Sequence, residues 1–168
     1  MSEQEWLESD VTRTMLTHLL TGQPSKRKVR LFAVACCRGV WDSIPAGEFR
    51  GLVEVLEHFL ERQATWRDVV ARRKRAEQSY GPYYNDWVAG RSTAAPFAWA
   101  TIQAAGQTLE NVRQTVECTK RLPLAKHPVR TWTAPEQAAL VRDIFPNPYR
   151  PVTSAKHWRA STVLDLAR

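Results

Sequence analysis

Lys26-Arg27-Lys28-Val29-Arg30-Leu31-Phe32-Ala33-Val34-Ala35-Cys36-Cys37-Arg38-Gly39-Val40-Trp41 sets the fold class of this chain. At 100° per residue Val29, Phe32, Cys36 and Val40 share one face, the spacing of an α-helix. Leu31, Val34, Ala35 and Trp41 carry apolar surface almost all the way round and leave Arg30 and Arg38 as the polar edge. A helix that is apolar on most sides is covered on most sides, so other helices must surround this one. Ser25 stands where an N-cap belongs.

The flanking sequence supplies those helices. Glu5 to Leu20 holds Trp6, Leu7, Met15, Leu16, Leu19 and Leu20, a helix interrupted near Asp10, and Gly22-Pro24-Ser25 turns the chain. After Ile44-Pro45-Ala46-Gly47, the segment Glu48 to Arg62 is amphipathic. Phe49, Leu52, Val53, Leu56, Phe59 and Leu60 lie on one side; Arg50, Glu54, Glu57 and Glu61 lie on the other. Thr65 and Asp68 cap a further helix whose apolar face fades after Ala71 into Arg72-Arg73-Lys74-Arg75, so its far end is expected in solvent. Ser79 to Ala95, with Gly81, Pro82 and Gly90, reads as a long aromatic-rich loop laid against the body. One long helix follows, from Pro96 to about Thr119, with Phe97, Thr101, Ala105, Thr108, Leu109, Val112 and Val116 inward.

Thr133-Ala134-Pro135-Glu136 has the residues of a capping box with proline in the first turn. Pro146, Pro148 and Pro151 forbid more helix and favour an extended path, and Ser161 caps a short last helix. The expected fold is an all-α, single-domain bundle of five to seven helices over residues 1–168, with a Pro-rich extended segment near the C-terminus.

Composition narrows the function classes. There is no apolar run of membrane-spanning length, so no membrane partner is expected, and no secretory signal is visible at the N-terminus. An odd count of cysteines, two of them adjacent (Cys36, Cys37, Cys118), makes a poor disulfide framework and fits a reducing cytoplasm. Net charge is +7: residues 1–112 carry 14 Lys/Arg against 13 Asp/Glu, and residues 113–168 carry 10 against 4. Such a basic C-terminal third meets nucleic acid, an acidic protein or nothing in particular.

No catalytic motif emerges. Cys36 and Cys37 do not combine with His18, His58, Cys118, His127 or His157 at zinc-ligand spacing, and Cys36 falls in the apolar stripe as a small hydrophobe. There is no phosphate-cradling glycine loop and no nucleophile elbow. We therefore expect no catalytic residue, no metal and no cofactor. Two surfaces remain. Tyr83, Tyr84 and Trp87, with Arg142, Tyr149, Arg150 and Trp158, are candidates for docking a partner protein or domain. Arg72, Arg73, Lys74 and Arg75, with Arg62 and Arg67, and also Lys120, Arg121, Lys126 and Arg130, are candidates for phosphate contact, with Trp132 to stack. For the second string the favoured reading is structural: Phe145, Tyr149 and Trp158 pack down, with the arginines lying over them.

Two segments also carry a resemblance. Arg27-Lys28-Val29-Arg30-Leu31-Phe32-Ala33-Val34-Ala35-Cys36-Cys37-Arg38 with Trp41 resembles the N-terminal region of a large family of uncharacterised planctomycete proteins. Val141-Arg142-Asp143-Ile144-Phe145-Pro146-Asn147-Pro148-Tyr149-Arg150-Pro151-Val152, with Trp158 and Ser161 to Arg168, resembles that family's second signature in the same order. The family commonly has glycine where Pro146 stands, and its members continue past the last helix, so this chain looks shortened. The resemblance implies kinship and no chemistry. The expected function is a non-enzymatic helical interaction module, adaptor or regulatory; the alternative is a nucleic-acid-binding accessory protein.

Overall fold

Helix-capping side chains mark where several elements begin. The computed structural model describes residues 1–22, 24–106, 109–120 and 131–150. Within them run eight α-helices: α1 (Glu3–Glu8), α2 (Thr12–Thr21), α3 (Lys26–Gly39), α4 (Glu48–Leu60), α5 (Trp66–Val88), α6 (Ala94–Ala104), α7 (Leu109–Lys120) and α8 (Ala134–Ile144). A single 3₁₀ turn, Trp41–Ser43, links α3 to α4. The described residues contain no strand, and the chain is an all-α bundle.

Capping boxes open three helices. Ser2 with Glu5 starts α1, Thr65 with Asp68 starts α5, and Thr133 with Glu136 starts α8; in each the hydroxyl accepts an N–H of the first turn and the acid accepts the cap N–H. Two of the three boxes were readable as residue pairs.

Helix α3 does sit inside the bundle, packed on α4, α6, α7 and α8. Phe32, Ala33, Val34, Cys36, Cys37 and Val40 are buried, while Leu31 reaches solvent. It shares the centre with α6, which touches α3, α4, α5 and α7. No charged residue occurs between Ala94 and Gly106. From Phe97 to Ala104 every α6 residue except Trp99 is buried. The small side chains of Ala98, Ala100 and Ala104 let the neighbouring helices approach closely. That apolar stretch was the sequence signal for a second central helix.

Two expectations need correction. The segment 79–95 is not a loop: α5 continues through Gly81 and Pro82 to Val88, and only Ala89–Thr93 connect it to α6. An interior proline removes one helical hydrogen bond and crowds the preceding turn. Here aromatic anchors on both sides of it hold the helix. Tyr83 meets the Phe49 ring edge-on with centroids 5.2 Å apart, and Tyr80 lies 5.1 Å from Trp99. The far end of α5 is therefore anchored through Tyr80 and Tyr83, while Tyr84, Trp87 and Val88 stay exposed. The stretch from Pro96 to Thr119 is not one helix either. It breaks after Ala104, and α7 folds back on α6. At the break, Asn111 donates to the Gln103 side chain at 2.6 Å, and a Cβ on Gly106 would stand 2.2 Å from Asn111. Only glycine leaves room for that crossing.

After α8 the chain is tied to α1, α2 and α3. Phe145 meets Phe32 edge-on, and Arg150 N–H closes a turn on the Asn147 carbonyl at 3.1 Å. Pro151, Trp158 and the helix expected after Ser161 lie outside the described residues.

Candidate functional site

The candidate docking residues of the first surface stand on one turn-and-a-half of α5. Tyr80 and Tyr83 are half-buried anchors. Tyr84 is 46% exposed, Trp87 44% and Val88 65%. The rings form a continuous row: Trp99 to Tyr80 5.1 Å, Tyr80 to Tyr84 6.0 Å, Tyr84 to Trp87 6.0 Å. Four-residue spacing on a helix places Tyr80 and Tyr84 on one face, and Trp87 follows three residues later. Burial pushes the Tyr80 phenol above its ordinary value. Asp86 accepts from Arg91 Nε at 3.0 Å and Nη2 at 2.8 Å, which makes a polar rim beside the row.

The second string of candidates is directed elsewhere. Arg142 Nε donates to the Trp6 carbonyl at 3.1 Å, and its Nη2 donates to the Ser9 carbonyl. Those carbonyls end α1, where a helix leaves acceptors unfilled and carries negative dipole charge. Tyr149 stacks on His18, centroids 5.3 Å apart and planes at 10°. Arg150 pairs with Glu3, which also accepts from Asn147 Nδ2 at 3.0 Å. Arg142 and Tyr149 are thus engaged by α1 and α2, and the exposed Arg150 is paired with Glu3. Trp158 lies outside the described residues.

The basic run on α5 is divided. Arg72 pairs with Glu48 at 3.2 Å and donates to the Gly47 carbonyl at 3.3 Å; Arg73 pairs with Glu77 at 2.9 Å. Lys74 and Arg75 stay exposed. Arg121, Lys126, Arg130 and the Lys120 side chain lie outside the described residues. Of the net charge of +7, six units belong to residues 120–130 and 151–168, which hold seven basic side chains and one acidic. Trp132, expected to stack on bases, is half-buried and points inward: its Nε1 donates to the Cys36 carbonyl at 2.7 Å.

The thiols are core. Cys36 and Cys37 are fully buried and Cys118 is half-buried. Burial raises the Cys37 thiol far above its ordinary range, with Cys118 and Glu57 adding to the effect and Arg38 opposing it. A thiol held protonated is a poor nucleophile and a poor metal ligand. Among the described residues no group of three or more His, Cys, Asp or Glu side chains is placed to hold a metal ion, and no described helix is long and apolar enough to cross a membrane.

One arrangement was not legible in the sequence. Arg30, read there only as the polar edge of α3, lies with its guanidinium carbon 4.6 Å from the Trp66 ring and 5.5 Å from the Phe59 ring. With Arg27 and Arg62 it lines a groove of about 340 Å³ floored by Phe59, Leu60 and Ala64. The amphipathic pattern of α4 marked Phe59 and Leu60 as inward, but nothing local linked them to α3.

Comparison with protein-family models, with curated proteins and with solved structures returned no match.

Proposed function

We propose that this chain is a non-enzymatic interaction module that docks a partner protein through the aromatic end of α5. One observation carries the reading: Tyr84, Trp87 and Val88 are exposed side by side on a helix whose neighbouring residues, Tyr80 and Tyr83, are locked into the bundle. Exposed large apolar side chains that cluster mark interaction surfaces, whereas single ones need no explanation. Tyrosine and tryptophan held on a rigid element are the residues that dominate binding energy. Protruding rings with a charged rim fit a partner that offers an apolar cleft edged by polar groups. The nucleic-acid alternative keeps only Lys74 and Arg75 of its α5 run, since Arg72 and Arg73 are each paired with a carboxylate. Kinship with the planctomycete family rests on the two sequence segments and adds no chemistry.

The test compares the wild-type chain with Tyr84→Ser and Trp87→Ser as bait. The expected result is a partner retained at stoichiometric yield by wild type, lost by both variants, with the melting temperature of each variant within a few degrees of wild type. Equal retention by wild type and variants would overturn the reading. A filter-binding titration across salt addresses the alternative, which needs binding at low ionic strength and a steep salt slope.

A further inference from the structure

Most arginines on the described surface have an anionic or carbonyl partner. Arg38 pairs with Glu57, Arg72 with Glu48, Arg73 with Glu77, Arg91 with Asp86, Arg113 with Glu110 and Arg150 with Glu3. Arg50 and Arg142 donate to carbonyls. Arg27, Arg30 and Arg62 line one groove, and among the described residues none of the three forms an ion pair and no acidic side chain lines that groove.

Arg30 differs from a solvated surface arginine. Its guanidinium is flanked by the Phe59 and Trp66 rings, which themselves meet at 5.3 Å. Its Nε is enclosed without an acceptor. Burial lowers its affinity for a proton, with no carboxylate to offset the effect. Rings on its flank fix the plane of the guanidinium and leave its edge as the donor face. Arg27 donates weakly, at 3.4 Å, to the Leu60 carbonyl at the end of α4. That helix end takes Nε and Nη2 of Arg27 and leaves its Nη1 without a partner among the described residues. Arg30 lies against rings rather than a carbonyl. Arg62, beside the groove, takes the left-handed backbone, φ 63°, of the turn that ends α4: its N–H donates to the Phe59 carbonyl at 3.1 Å and Gln63 N–H to the His58 carbonyl at 2.7 Å. Such a conformation costs energy for a side chain of this size and fixes where it leaves the chain.

We propose that Arg27, Arg30 and Arg62 form a binding site for a phosphoryl dianion, free or carried as a small phosphate monoester, in the groove between the start of α3 and the α4–α5 turn. Three guanidiniums match a dianion with several acceptor oxygens. The groove, at about 340 Å³, exceeds a bare phosphate, and Phe59, Leu60 and Ala64 give an organic substituent an apolar floor. The site is separate from the α5 aromatic row and does not depend on it.

Isothermal titration of the full chain with inorganic phosphate and with phenyl phosphate tests this, at constant ionic strength set with chloride. Saturable binding of either probe is expected, with at least about tenfold weaker binding in both Arg30→Met and Arg62→Asn. Tighter binding of phenyl phosphate assigns the ester; equal binding assigns free phosphate. Asparagine tolerates the left-handed backbone. Arg62 is exposed, so Arg62→Asn decides the matter even where Arg30→Met fails to fold. Absence of saturable binding in wild type, or unchanged affinity in Arg62→Asn, would overturn the proposal.

Discussion

Trp132 Nε1 donates a 2.7 Å hydrogen bond to the Cys36 carbonyl, joining residues 96 positions apart, and its ring occupies the space a Cβ on Gly39 would need. The contact has a local reason. Helix α3 ends at Gly39, where Val40 N–H turns to the Cys37 carbonyl at 3.1 Å and leaves the Cys36 carbonyl to another donor. The indole fills that role and holds the start of α8 against the C-terminal end of α3.

Gly39→Ala places a Cβ 2.2 Å from the indole carbons, too close for any neighbour to remain in place. The ring must move and its hydrogen bond must stretch, so the cost is expected at about 2–3 kcal/mol by chemical denaturation. In a Trp132→Ala background the indole no longer stands in the way of the same change, and helix propensity contributes about 0.5–1 kcal/mol in the opposite direction. A double-mutant cycle measures this sign reversal.

Gly51→Ala looks similar in sequence and is expected to differ in effect. The added Cβ would stand 1.9 Å from the Arg72 guanidinium, the far end of a flexible side chain. Arg72 swings away and its half-exposed pair with Glu48 loosens, while α4 gains about 0.5–1 kcal/mol of helix propensity. Net stability should change by less than about 1 kcal/mol in either direction, and urea denaturation reads the difference from Gly39→Ala directly.

Pro82→Ala restores a backbone N–H inside α5 and relieves crowding of the preceding turn. The expected gain is about 1–3 kcal/mol, seen as a higher melting temperature and slower amide exchange around residue 82. A loss of stability would mean that Tyr83 on Phe49 and Tyr80 on Trp99 require the local path that proline imposes.

Asp68 is held below its ordinary value by hydrogen bonds from the Thr65 hydroxyl and backbone N–H. A carboxylate whose folded value is depressed adds stability above its unfolded value, near pH 4, and that contribution disappears as pH falls through the folded value. Asp68→Asn should therefore lower the melting temperature at pH 6, and the gap to wild type should close as pH falls below about 4. Circular dichroism melts across that range check it. Glu5, lowered by the Ser2 backbone N–H, acts in the same direction at α1.

Short-range chemistry wrote much of the fold into the chain. The Thr65–Asp68 and Thr133–Glu136 boxes, the amphipathic face of α4 and the largely apolar α3 are local patterns that need no partner to be recognised. Cys36 as a buried thiol followed from its place in the α3 stripe. Tertiary contacts decided the rest. Gly81-Pro82 reads as a break by propensity, yet Phe49 and Trp99 supply ring contacts that outweigh it and turn an expected loop into the exposed end of α5. Asn111 reaching across Gly106 to Gln103 splits a stretch that is helical on both sides. Arg72 and Arg142 looked available to ligands until Glu48 and the carbonyls of Trp6 and Ser9 came within reach. Arg30 looked like a solvated edge until Phe59 and Trp66 closed on it. Propensity and capping act within a turn or two of helix, so the sequence determined where most helices begin. Which polar side chains are consumed and which stay available depends on atoms brought together from distant positions, and only the packed bundle decides that.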